Sequence, residues 1–108
     1  MNRLTRVTGC LTLALVSAPA FAGDKKGDAD KGKELFQQCA VCHNADSTEK
    51  KIGPGLKGVK DGKLPSGKPA THDAMLEQLN TGGGAMPPYK DLLTDEEKDN
   101  VIAYVMTL

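Results

Sequence analysis

The chain has 108 residues, 14 of them Lys or Arg and 14 Asp or Glu, so it carries no formal net charge. That balance excludes a strongly basic nucleic-acid binder, and the length allows one small domain. Aromatic residues make up only 4% and there is no Trp, so an apolar core of this size is marginal unless a disulfide, a metal or a cofactor completes it.

Residues 1–22 have the three parts of an export signal. Arg3 and Arg6 give a basic start, Leu11 to Val16 a short apolar run, and Ala20-Phe21-Ala22 the small-x-small pattern of a cleavage point. The apolar run is too short to span a bilayer comfortably. Cleavage after Ala22 is expected, with residues 23–108 delivered to the periplasm as a single domain. Both arginines leave with the signal, so the remainder is slightly acidic. Val7-Thr8-Gly9-Cys10 resembles a lipoprotein box, but it precedes the apolar run where lipidation needs it to follow, so Cys10 is discarded with the signal. No second apolar stretch follows, and no stable membrane insertion is expected.

Gly23 to Asp28 is small and charged, a loose start. Asp28 or Asp30 can cap a helix running to about Cys42, with Leu35, Phe36, Cys39 and Ala40 on one face. Residues 44–70 are punctuated by Gly and Pro and show no sustained period. A loop of that length in a small domain is expected to wrap something or to carry function. A second helix fits Thr71 to Asn80, with Met75, Leu76 and Leu79 on one side and Gly82-Gly83-Gly84 ending it. Ala85-Met86-Pro87-Pro88-Tyr89 is held extended by its prolines. Thr94-Asp95-Glu96-Glu97 is a capping box that opens the last helix, and Val101, Ile102, Tyr104, Val105 and Leu108 form its apolar stripe. No strand pattern persists, so the chain reads as all-α.

Cys39-Ala40-Val41-Cys42-His43 is a Cys-x-x-Cys-His sequence, the attachment signature of c-type haem. Two thiols three positions apart lie on nearly the same side of a helical turn, each able to add to a haem vinyl group. His43 then reaches the iron as an axial ligand. A redox Cys-x-x-Cys pair needs a βαβ context, and no strand precedes this one. A structural zinc site needs four ligands, and His72 is the only further histidine. A Cys39–Cys42 disulfide would close a tiny loop and brace little.

The second axial ligand is open on the residues alone. Met86 sits between a Gly run and two prolines and offers a soft thioether. Met75 and Met106 fall at helical apolar positions and read as core. His72 is the chief competitor, against the plainer reading of a solvated residue at a helix start.

Four segments taken in order resemble the class I c-type cytochromes, above all their short bacterial and photosynthetic monohaem members. They are Gly32-Lys33-Glu34-Leu35-Phe36 ahead of the haem motif, Ile52-Gly53-Pro54-Gly55-Leu56 after it, Gly84-Ala85-Met86-Pro87, and the last helix with Tyr104. The likeness runs from about Asp30 to Leu108. It implies an all-α fold of three to four helices with long loops wrapped around one haem c, covalently attached through Cys39 and Cys42. It implies Met86 as the second axial ligand to iron beside His43, and the Pro54 carbonyl as the acceptor for the second ring nitrogen of His43. It also implies that Gly32 and Phe36 pack the first helix against Tyr104.

The function expected is that of a periplasmic one-electron carrier and not an enzyme, a monomer shuttling between redox protein partners of respiratory or photosynthetic chains. With both axial positions filled no site is open for substrate, and a Met ligand raises the potential. A gas sensor or peroxidase needs an open position and acid/base groups that this chain scarcely has. An electron-transfer subunit held on a periplasmic oxidoreductase is the nearer alternative. Between Lys50 and Lys68 there are six lysines and one acid, and between Asp91 and Asp99 five acids and one lysine. This asymmetry can orient the protein on a charged partner.

Overall fold

Residues 27–108 are described by a computed structural model of the chain. The expected export signal, residues 1–22, and Cys10 within it lie outside the described residues. Three α-helices, α1 (Ala29–Leu35), α2 (His72–Thr81) and α3 (Asp95–Val105), carry the fold, joined by loops with short 3-10 turns at Phe36–Gln38 and Val59–Asp61. Among the described residues there is no strand, only the isolated bridges Lys63–Pro69 and Gly83–Met86. The architecture is the all-α one expected.

Asp28 caps α1, its carboxylate accepting from the backbone N–H groups of Asp30 and Lys31. The α-helix ends at Leu35, earlier than the Cys42 expected from the sequence. From Phe36 the chain continues in tight turns that mix spacings. The Cys39 and Ala40 amides both donate to the Phe36 carbonyl, and those of Cys42 and His43 both donate to the Cys39 carbonyl. The loop that follows is bonded back onto these turns through carbonyls that the end of a helix leaves free. Lys51 Nζ donates to Ala40 O at 3.0 Å and the Gly53 amide to Cys42 O at 2.8 Å.

α1 lies directly on α3. A Cβ on Gly32 would fall on the Asn100 carbonyl and 2.9 Å from Tyr104 Cβ, so only glycine allows this approach. One turn on, the rings of Phe36 and Tyr104 meet edge to face, 5.2 Å between centroids and 61° between planes. Asn100 Oδ1 accepts from the Asp28 amide at 2.7 Å, fastening the start of α1 to the same helix.

α2 is capped by Thr71, whose hydroxyl accepts from the Ala74 amide, and stopped by Gly82 at φ +61°. α3 opens on the capping box expected: Glu97 N donates to Thr94 Oγ1 and Thr94 N to a Glu97 carboxylate oxygen. Lys98, inside α3, is only 3% exposed. Its stem is covered and its ammonium donates to Lys90 O at 2.9 Å and lies 3.6 Å from Asp95 Oδ1.

The buried apolar side chains are few: Phe36, Ala70, Met75, Leu79, Val101 and Ile102. All but Ala70 line one cavity. The core is therefore a shell around a space, which is why so small a set of large side chains serves. The loop over residues 44–70 closes one side of that shell and is pinned by backbone bonds from Leu56 to Asn44, from Gly58 to Leu108 and from Ala70 to Gly62.

Candidate cofactor site

The cavity encloses about 650 Å³, in the range of small-molecule and cofactor sites. The haem-motif turns contribute Cys39, Cys42 and His43 to its lining, the long loop Pro54, and the segment after α2 Met86. Cys39, Cys42, His43, Pro54 and Met86 thus face one space, although they span nearly half the chain.

His43 is held from two sides. Its Nδ1 donates to the Pro54 carbonyl at 2.8 Å, which leaves Nε2 as the nitrogen free to bind elsewhere. Gly53 lies against the ring, where a Cβ would come within 2.5 Å of Cε1 and 2.8 Å of Nδ1. Sequence reasoning missed this contact. Its only trace was a glycine directly before the proline expected to orient the ring.

Cys39 and Cys42 are free thiols, both half-buried. Burial pushes the Cys39 thiol above the ordinary range, and a charge on Cys42 would add to this. Burial raises the Tyr89 hydroxyl in the same way, with further contributions from Cys39 and then Cys42. Tyr89 lines the same cavity as the two thiols.

Met86 is placed by its backbone. Its amide donates to Gly83 O and its carbonyl accepts from Gly83 N, both at 3.0 Å, and the Tyr89 amide donates to Leu79 O at 2.6 Å. These bonds hang the proline-rich segment from the end of α2. The thioether sulfur lies 3.7 Å from Gln78 Nε2.

The other candidate ligands are placed differently. Met75 is buried in the core as expected, and it also lines the cavity. His72 is neither solvated nor directed at the cavity: its side chain is 22% exposed and Nε2 meets Asp99 Oδ1 at 2.8 Å. The first turn of α2 rests on α3, which turns a helix-start histidine into a bridge between helices.

Two thiols, an imidazole nitrogen and a thioether sulfur around an apolar cavity make a soft donor set that fits a haem iron and its vinyl groups. Among the described residues no cluster of His, Cys, Asp and Glu could hold a bare metal ion, and no helix is long and apolar enough to cross a membrane.

Comparison with known proteins agrees. The family model described as cytochrome c oxidase, cbb3-type, subunit III matches residues 27–105. The chain is 34% identical over 93 residues to cytochrome c6 of Rippkaea orientalis, covering 85% of this chain and 78% of that protein. It is 38% identical over 85 residues to cytochrome c6 of Bryopsis maxima, covering 73% and 90%. With cytochrome c2 of Blastochloris viridis it shares 30% over 117 residues, covering 92% and 89%. The solved structure of cytochrome c6 from the diatom Phaeodactylum tricornutum superposes with a TM-score of 0.59 at 35% identity, covering 75% of this chain and 93% of that one.

Proposed function

The chain belongs to the class I c-type cytochromes, and from that membership and its donor set we propose that it is a periplasmic one-electron carrier with His43 and Met86 as axial ligands. The observation that carries this reading is the single apolar cavity lined by Cys39, Cys42, His43 and Met86.

A c-type haem bound there supplies an iron that takes up and gives up one electron at a time. The chain's own residues do the rest. The sulfurs of Cys39 and Cys42 form the thioether links, so the group cannot dissociate in either oxidation state. His43 presents Nε2 while the Pro54 carbonyl holds the proton on Nδ1 and Gly53 leaves room for the ring. Met86 presents a soft thioether that favours the reduced form. Phe36, Leu79, Val101 and Ile102 keep water out. Ile52 lines the cavity yet is 60% exposed, so it marks the mouth. Donor and acceptor are redox proteins that approach this edge, and the carrier itself acts as a monomer. Residues 1–22 supply the route to the periplasm, where thiols and haem are joined.

The test is the absorption spectrum of the exported protein, first denatured, then native with and without carbon monoxide. Haem that stays with the chain on denaturation, and a native spectrum indifferent to carbon monoxide, is the expected result. Ready carbon monoxide binding would mean an open axial position and would overturn the Met86 assignment. The family model's description favours a second reading, a subunit of an oxidase. Sedimentation of the exported protein as a monomer decides for the free carrier.

A further inference from the structure

We propose that Lys98 is a positioning residue that holds the Met86-bearing arm against α3 and so sets how readily Met86 leaves the ferric iron. The inference rests on Met86 being an axial ligand. Lys98 is 3% exposed inside α3, and the electron-carrier reading gives it no part. A buried ammonium is costly unless it is paired and hydrogen-bonded. Its close partner is the Lys90 carbonyl, at 2.9 Å. Asp95 stands 3.6 Å away with its side chain fully exposed, so that contact is largely screened.

Residues 72–90 form the arm, α2 followed by the proline-rich segment. The bonds within it give it shape: the Gly83–Met86 pair and the Tyr89 amide on Leu79 O both join arm to arm. They do not fix where Met86 stands relative to His43. That separation is set through α3, which packs on α1 and hence on the haem-motif turns. Among the described residues two side-chain bonds tie the arm to α3, and they come from consecutive residues of that helix. Asp99 takes His72 at the start of the arm, and Lys98 takes Lys90 at its end. His72 lies a whole helix away from Met86, whereas Lys90 follows it closely. Pro87 and Pro88 between them have no N–H to give, so the stretch is anchored from outside.

Ligand exchange at iron requires the thioether to move away. The stiff proline pair passes that displacement on to Lys90, and the Lys98 bond resists it. Removing the bond costs the rest of the fold little. Lys90 is exposed, so its carbonyl can turn to water, and apolar bulk in place of a buried charge is often neutral or stabilising.

The test uses the haem-loaded ferric protein and imidazole, a nitrogen base that competes with a thioether for iron. Its affinity is followed by loss of the weak far-red sulfur-to-iron band. Lys98→Met keeps an unbranched apolar stem and removes the donor. It is expected to bind imidazole about tenfold more tightly, which is about 1.4 kcal/mol and at the low end of what a hydrogen bond to a charged group contributes. In saturating imidazole, with Met86 already displaced, its denaturant midpoint is expected to equal or exceed that of the wild type. Wild-type imidazole affinity in Lys98→Met overturns the proposal. So does a lower midpoint in imidazole, which would make Lys98 a support of the fold whether or not Met86 is bound. A second measurement needs no variant. Coupling between two sites is reciprocal, so displacing Met86 must free Lys98. Amidination of wild-type Lys98 by an imidoester, read by mass spectrometry, is expected to quicken severalfold in saturating imidazole, with Lys33 on α1 unchanged. Equal Lys98 rates with and without imidazole overturn the proposal even if Lys98→Met fails to take up haem. A wild-type protein without the far-red band condemns the Met86 assignment itself, and the role of Lys98 falls with it.

Discussion

Gly53 shows how one missing side chain can govern a ligand. Its Cα lies close against the His43 ring, and its amide donates to Cys42 O at 2.8 Å, so the backbone there cannot swing away without breaking the haem-motif turn. Gly53→Ala puts a methyl 2.5 Å from Cε1. The ring must tilt, and its bond to the Pro54 carbonyl must lengthen. The expected cost is that of an overpacked site, about 1–3 kcal/mol, read as a lower denaturation midpoint of the ferric protein. The potential should move as well, because the imidazole loses basicity with its acceptor. Unchanged stability together with an unchanged potential would mean that the ring has slack to absorb the methyl.

At the scale of elements, the α1–α3 crossing is the joint that brings the haem-motif turns against the core. Gly32→Ala would drive a methyl into the Asn100 carbonyl, which already belongs to the helical ladder of α3. The gain in helix propensity, about 1 kcal/mol, works against a clash between two backbones that costs about 3 kcal/mol or more. A net loss of roughly 2 kcal/mol or more is therefore expected by denaturant unfolding, and a neutral outcome would show that the helices can separate freely. What the sequence disclosed about the elements divides along this line. The caps at Asp28, Thr71 and Thr94 are local signals, each satisfied within a few residues, and they place the helix starts. The end of α1 was not legible, because Leu35 is followed by good helical residues. From Phe36 the chain turns in 3-10 geometry, and the loop docked on those turns, with Lys51 on the Ala40 carbonyl and the Gly53 amide on the Cys42 carbonyl, comes from residues distant in sequence. His72 was misread for the same reason, its partner Asp99 being 27 positions away. The cysteine pair and its histidine were legible because their chemistry demands contiguity. Met86 was legible as a candidate from its setting between glycines and prolines, and family resemblance chose it over His72; the contact of Pro54 with His43 came only through that resemblance, and Gly53 went unseen, since it acts through a neighbour that folding supplies.

At the scale of the molecule, charge is unevenly distributed, and this predicts how encounter rates depend on salt. The lysines at positions 50, 51, 57, 60, 63 and 68 are all exposed. Lys50 lines the cavity, and Lys51 is bonded to the haem-motif turn. Positive charge therefore gathers at the mouth through which an electron must pass. Among the described residues, Lys68 is the one of these lysines in an ion pair, with Glu77 at 2.7 Å. Of the acids near α3, Asp95 has the Lys98 ammonium beside it and Asp99 is hydrogen-bonded by His72. A field of this kind guides an oppositely charged reactant over a range set by the Debye length, about 30 Å at 0.01 M salt and about 8 Å at 0.15 M. Oxidation of the ferrous protein by ferricyanide should then slow as salt rises, by roughly tenfold across that interval, the lower end of what steering achieves. A cationic cobalt complex should show the reverse trend. Lys50→Glu combined with Lys57→Glu touches neither a cap nor the core, so it should flatten the ferricyanide dependence while leaving the spectrum as it was. Equal rates at all salt concentrations would mean that the lysines are solvated bystanders, and that apolar contact at Val41 and Ile52, both more than half exposed, guides the encounter instead.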